Sequence, residues 1–254
     1  MTEKKLLKEF RDDGVLVLTL NRPTKMNAID KELETDFIET LSAATGNDKV
    51  RAVVVAGAGE RAFCAGYDVV EMSKWSAEQM RIEQLRQYWA WWSIAAFPKP
   101  LVTANHALTM GWGAITSVSA DIRIGCAQTE FQFTASPHGG ANLTWNLPQL
   151  IGWSKAKEYL MTSCRIPAEE AKQVGLLNRI VARDNVLAEA IKVAAQMAGY
   201  PPSGVTTIKR LMREGVGQDQ MSQMRAEMDE AQRMMASRST NLVTESYREF
   251  VANK

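Results

Sequence analysis

Histidine, cysteine, net charge and long apolar runs are all scarce in this chain of 254 residues, and each scarcity excludes something. Two histidines, His106 and His138, are too few for an ordinary transition-metal site, so no metal is expected. Three cysteines at wide spacing, Cys64, Cys126 and Cys164, fit neither a disulfide framework nor a zinc pattern. A net charge of +1 gives no general field to draw phosphate backbones, so nucleic acid is not an expected partner. No stretch approaches the length of a membrane span, and the opening MTEKKLLKEFRDDG is charged throughout, without the apolar centre of a secretion signal. The expected location is cytoplasmic. What is present, 46% hydrophobic and 23% charged residues, is ordinary for a packed globular protein.

Alternation over 14–20 and apolar runs at 51–57, 99–105 and 121–125 predict four strands. Helical spacing fills 30–44 and 76–96, the second crowded with Tyr88, Trp89, Trp91 and Trp92, which line either the core or an acyl pocket. Past Gly152 the pattern turns helical, at 155–161, 167–173, 184–197, 202–213, 218–237 and 241–252, with one short strand at 178–181. The expected organisation is α/β, a sheet-containing core over 1–200 followed by a helical region over 201–254. Met221, Met224, Met228, Met234 and Met235 in the last helices would pack on the core or on a second subunit.

Gly57-Ala58-Gly59-Glu60-Arg61-Ala62 follows a strand and formally matches a dinucleotide fingerprint with alanine in the third position. That fingerprint needs a helix to begin at the glycines, and Phe63-Cys64-Ala65-Gly66 stands there instead. The helix signal comes later, at Asp68 with Glu71 three residues on, a capping-box pattern. The small-residue loop 62–68 therefore predicts unpaired N–H groups around Tyr67. A second such place is Met110-Gly111-Trp112-Gly113, where glycines turn the chain from a strand into a helix of small residues. Each loop alone reads as a tight turn. Two helix starts aimed at one point would instead form an oxyanion hole.

Taken in order and spacing, Asn21-Arg22-Pro23 with Asn27-Ala28, RAFCAGYDV at 61–69, Lys99-Pro100, Gly111-Trp112-Gly113, Asp121-Ile122, LPQLIG at 147–152, AKEYL at 156–160 and AEEAKQVGL at 168–176, with the terminal Glu245 to Phe250, resemble the crotonase (enoyl-CoA hydratase/isomerase) superfamily over nearly the whole chain. The resemblance implies a spiral of ββα repeats with a C-terminal helical region that helps assemble a homo-trimer or hexamer. It implies an acyl-CoA substrate, with coenzyme A as part of that substrate and no separate cofactor. The oxyanion donors carry over onto the N–H groups of Tyr67 and Trp112, whose large side chains should narrow the acyl pocket or offer it a hydroxyl and a ring edge. Arg61, Ala62, Ala65 and Asp68 fall at the CoA adenine and pantetheine loop, mostly through backbone atoms, and Phe250 and Lys254 would reach CoA in their own or a neighbouring subunit.

The chain departs from that pattern where hydratases carry two glutamates, since those positions hold Ile115 and Ala135, and the usual Pro-Gly-x-Gly-Gly loop is shortened to His138-Gly139-Gly140-Ala141-Asn142. General acid–base work needs a group of suitable pKa, and His138 in its glycine-flanked loop is the candidate, the alternative being a loop histidine satisfied by backbone. His106 beside Asn105 reads as structural, as Glu130 does, and Asp68 and Glu71 are explained by capping. Three functions stay open. One is a lyase or isomerase stabilising an enolate; another is hydrolysis of the thioester or a C–C bond, or decarboxylation; the third is a non-catalytic acyl-CoA binder.

Overall fold

The computed structural model describes residues 4–237, 248, 251 and 252. The helix expected over 241–252 and the candidates Phe250 and Lys254 fall wholly or largely outside the described residues. The chain divides into two compact units, Met1–Val205 and Thr206–Lys254.

The first unit is a spiral in which each turn lays one strand in a first sheet, the next in a second sheet, and then a helix. After an edge strand β1 (Leu6–Phe10), the first turn runs through β2 (Val15–Leu20), a single parallel bridge from Ile29 to Tyr67, and α1 (Lys31–Thr45). The second comprises β3 (Ala52–Gly57), β4 (Ala62–Cys64), α2 (Val69–Met72) and α3 (Ala77–Ala95). The third is β5 (Leu101–Asn105), β6 (Leu108–Met110) and α4 (Trp112–Ser119), and the fourth begins with β7 (Ile122–Gly125) and β8 (Glu130–Gln132). It continues through α5 (Leu147–Ile151), α6 (Trp153–Thr162), β9 (Ile166–Pro167), α7 (Ala168–Gln173), β10 (Arg179–Ile180) and α8 (Val186–Gly199). The first sheet has the order β1-β2-β3-β5-β7-β10 and the second β4-β6-β8-β9, parallel within each except at β1 and β9. This is the ββα spiral that the motifs imply.

Both faces of the first sheet are covered, as parallel sheets require. Leu16, Leu18, Leu20, Val53 and Val55 pack on one side with Leu33, Phe37 and Phe63, while Val15, Val17, Val54 and Val102 face Val186, Ala190 and Val193 of α8 on the other. Each such side chain contributes about 1.5–3 kcal/mol by leaving water. The alternation over 14–20 thus marks two buried faces, not one buried and one wet.

Two features were not anticipated. In β1 only Leu6 is buried and the rest is exposed, a charged edge strand of the kind that resists further pairing. The second sheet consists of strands of two or three residues, too short for any periodicity to register, and one of them, β4, occupies part of what reads as a loop over 62–68. Because β4 follows Gly57 and Gly59 where a dinucleotide site needs a helix, that fingerprint is formal only.

The second unit holds most of α9 (Pro202–Glu214) and all of α10 (Gln220–Ser237), tied by Arg210, which pairs with Glu214 at 3.0 Å and Glu230 at 2.8 Å. Among the described residues no helix is long and apolar enough to cross a membrane.

Candidate active site

Two glycine turns meet at the site. Gly66 (φ +101°) ends the loop after β4, and Gly111 (φ +51°) ends β6, both in backbone regions that favour glycine. They touch: a Cβ built on Gly111 would stand 3.0 Å from Gly66 Cα, and one on Gly66 would stand 3.6 Å from Trp112 N. Close approach of the two turns sets the next residues, Tyr67 and Trp112, side by side.

Their N–H groups are the expected donors. Around Tyr67 the chain is pinned on both sides, Ile29 N–H donating to Gly66 O and Asp68 N–H to Ile29 O, each at 2.8 Å. This bridge turns the intervening Tyr67 N–H the other way, and it meets no acceptor among the described residues. Trp112 opens α4, so its N–H has no intrahelical partner, and it too meets none among the described residues. Two free donors at adjoining turns, one of them on a helix N-terminus, are suited to hold a carbonyl oxygen that gains negative charge.

The side chains of the same two residues turn inward to a group that the sequence reading missed, Glu34 of α1. Tyr67 Oη donates to Glu34 Oε1 at 2.6 Å, Trp112 Nε1 donates to the same oxygen at 3.0 Å, and Arg86 pairs with Oε2 at 2.8 Å. Trp91 Nε1 donates to Tyr67 Oη at 2.7 Å, and Phe37 meets the Trp112 ring edge-on with centroids 5.1 Å apart. Glu34 and Trp112 have no exposed surface. Burial pushes the Glu34 carboxyl above its usual range, against the Tyr67, Arg86 and Trp112 donors, and burial followed by the Glu34 charge pushes the Tyr67 phenol well above its own. The Tyr67 hydroxyl and the Trp112 indole N–H are therefore both engaged with Glu34. A glutamate four positions past the cap of an amphipathic helix has the signature of a surface residue, and only the arrival of α3 and α4 encloses it.

The other candidates divide. Arg61, Ala62, Ala65 and Asp68 lie on one segment through β4 and the loop after it, but much of its polar backbone is already engaged: Ala65 N–H donates to Met26 O at 3.0 Å, and Ala62 O accepts from Asn27 Nδ2 at 2.9 Å. The exposed Arg61 guanidinium reaches Met26 Sδ at 3.5 Å. Asp68 caps α2 through Val70 and Glu71 N–H at 3.1 and 3.3 Å and receives Arg22 at 3.0 Å; burial opposes ionisation, yet the Arg22 contact and the backbone donors hold its carboxyl low. The reciprocal half of the expected capping box is absent, because Glu71 Oε2 accepts from Lys31 N–H at 3.0 Å and so caps α1. His138 ends a short 3-10 turn, Ser136–His138, and is exposed, with no side-chain partner among the described residues. Its loop leaves β8 beside the Gly111 turn, where Gly111 N–H donates to Gln132 O at 3.4 Å. Of the two positions that lack glutamate, Ile115 is buried on α4 and Ala135 is half-buried where the His138 turn begins. His106 is half-buried, and its Nε2 is enclosed without a partner among the described residues.

A profile described as enoyl-CoA hydratase/isomerase matches residues 11–253. The chain is 28% identical over 225 residues to a crotonyl-CoA hydratase of Syntrophomonas wolfei, covering 86% of this chain and 85% of that one. It is 27% identical over 212 residues to a 1,2-epoxyphenylacetyl-CoA isomerase of Escherichia coli, covering 78% of each. Its fold is similar to a crystal structure of enoyl-CoA hydratase from Bacillus anthracis, with TM-score 0.90 and 25% identity over 97% of this chain and 96% of that one.

Proposed function

The chain belongs to the enoyl-CoA hydratase/isomerase family, and from that premise we propose that it binds an acyl-CoA thioester and stabilises the enolate of that thioester with the N–H groups of Tyr67 and Trp112. The observation that carries this reading is the pair of donors that meet no acceptor among the described residues, set side by side by the contact of Gly66 with Gly111. A thioester carbonyl placed there gains hydrogen-bond strength as its oxygen becomes negative, so the site favours the enolate over the ground state. Coenzyme A enters as part of the substrate and no separate cofactor takes part. Relatives that bear hydratase and isomerase names support a lyase or isomerase label.

His138 moves the proton in this reading. It is an ionisable side chain on the loop that leaves β8 next to Gly111. His138→Ala should lower the turnover rate about 10²- to 10⁴-fold. A rate unchanged within error returns His138 to the role of a loop residue.

A second reading draws on Ile115 and Ala135, which leave no glutamate pair to activate water for addition across a double bond. It assigns hydrolysis of the thioester or a C–C bond, or decarboxylation, on the same oxyanion hole. Incubation with enoyl-, hydroxyacyl-, 3-oxoacyl- and malonyl-type CoA thioesters in heavy water, followed by mass spectrometry, separates the two. Gain of water or uptake of deuterium with the thioester intact supports the first; free CoA or loss of carbon dioxide supports the second. CoA binding with no change in any thioester is the mark of a binder without turnover. Tyr67→Pro, which removes one donor, should abolish whichever turnover is found, and full activity in the folded variant removes that N–H from the mechanism.

A further inference from the structure

A carboxylate without exposed surface is costly unless its partners replace water, and Glu34 sits on the same face of α1 as the core residues Leu33, Phe37 and Leu41. Its partners come from three separate elements: Tyr67 from the loop after β4, Trp112 from the first turn of α4 and Arg86 from α3. Two of these three are the residues whose N–H groups lie free at the hole. One oxygen, Oε1, takes both the Tyr67 hydroxyl at 2.6 Å and the Trp112 indole N–H at 3.0 Å, so a single atom joins the two halves of the donor pair from behind. Trp91 fixes the phenol from its other side, and Arg86, itself held at 2.6 Å by Glu83, offsets the carboxylate's charge, which would otherwise oppose a nearby developing oxyanion. An apolar side chain would fill the same place without the desolvation penalty. What the carboxylate adds is direction.

We infer that Glu34 is the positioning residue of the oxyanion hole, holding Tyr67 and Trp112 by their side chains so that their backbone N–H groups keep a fixed separation and aim. The inference rests on the proposed role of those N–H groups and extends it. It needs no contact between Glu34 and substrate. Its mark is a loss of preference for the enolate over the neutral thioester, with affinity for CoA retained, because a small displacement of donors weakens the charged state most.

The test uses acetoacetyl-CoA, a 3-oxoacyl thioester whose enolate absorbs in the near ultraviolet, bound to the full-length protein. The apparent pKa of bound probe reports enolate preference, and calorimetry with free CoA reports binding. Wild type should lower the probe's pKa. Glu34→Leu should reduce enolate preference about tenfold to a hundredfold with CoA affinity within about twofold, whereas Glu34→Gln, whose amide oxygen still accepts from both side chains, should recover most of it. Should Glu34→Leu fail to fold, the double variant Tyr67→Phe/Trp112→Phe keeps both backbone N–H groups and the Glu34–Arg86 pair while cutting the brace, and the same loss is expected. Tyr67→Pro separates the two levels of the argument. Loss of enolate preference in Tyr67→Pro, with wild-type preference in folded Glu34→Leu or in the double variant, overturns the role of Glu34 and leaves the hole standing. Equal enolate preference in wild type and Tyr67→Pro removes the hole, and the inference with it.

Discussion

At Gly113 a single methyl group has no room: a Cβ there would stand 2.6 Å from Cys64 O and 2.7 Å from Cys64 Cβ, both in the buried strand β4. Alanine is the better helix former by about 1 kcal/mol, but overpacking of this kind costs about 1–3 kcal/mol, and contacts this short put the cost at the upper end. Gly113→Ala should therefore lower the thermal midpoint by several degrees in calorimetry, and an unchanged or raised midpoint would show that β4 gives way. His106 offers a test of a different kind. Burial, then the charge of Arg183, lowers its pKa below the ordinary 6.5, against backbone hydrogen bonds at Gly59 and Ala104. The unfolded chain then binds the proton more readily, so this contribution to stability is complete above about pH 6.5 and is lost as pH falls through the folded value. Urea midpoints of His106→Asn at pH 7.5 and 5.5 should differ less than those of wild type; equal differences would remove His106 from the acid response.

Elements here are fastened by side chains that gather carbonyl groups. Lys99 Nζ donates to Ala44 O, Asn47 O and Val50 O at 2.7, 2.9 and 2.8 Å, binding the end of α1 to the entry of β3. Asn27, buried and with φ +55°, does the same for the CoA-loop candidate: its Nδ2 donates to Ala58 O and Ala62 O, both at 2.9 Å, and to Phe63 O at 3.2 Å, while its Oδ1 accepts from Arg22 N–H. Asn27→Ala strands these groups and places alanine in the left-handed region, at a cost on the order of 3 kcal/mol. The expected outcome is a lower urea midpoint together with weaker CoA binding, since the loop bearing Arg61 and Ala65 loses its anchor. Weaker stability with unaltered CoA affinity would place the CoA contacts elsewhere. Asn27 belongs to the family pattern, but its task was not legible, because every carbonyl that its side chain reaches lies more than 30 residues away in sequence.

For the whole molecule, the unit from Thr206 onward exposes Ile208, Met212, Met221, Met224, Met228 and Met235 in the single chain, apolar side chains that a second copy could cover. Light scattering should give the full chain the mass of a trimer or hexamer and a chain ending at Val205 a smaller one; equal masses would place the contacts on the first unit. By itself the sequence determined the family, the strands of the first sheet other than the edge strand β1, and the pair of glycine turns, because these follow from local periodicity and from motifs contiguous in the chain. Tertiary structure alone decided the second sheet, whose strands are too short to carry a period and exist only through their neighbours. It alone also decided the site of Glu34. On α1 that residue reads as one more charge on a helix, and it becomes a buried acceptor only when Tyr67, Arg86 and Trp112, 33 to 78 residues further along, converge on it. Burial and donor geometry are properties of the packed chain, and no local pattern encodes them.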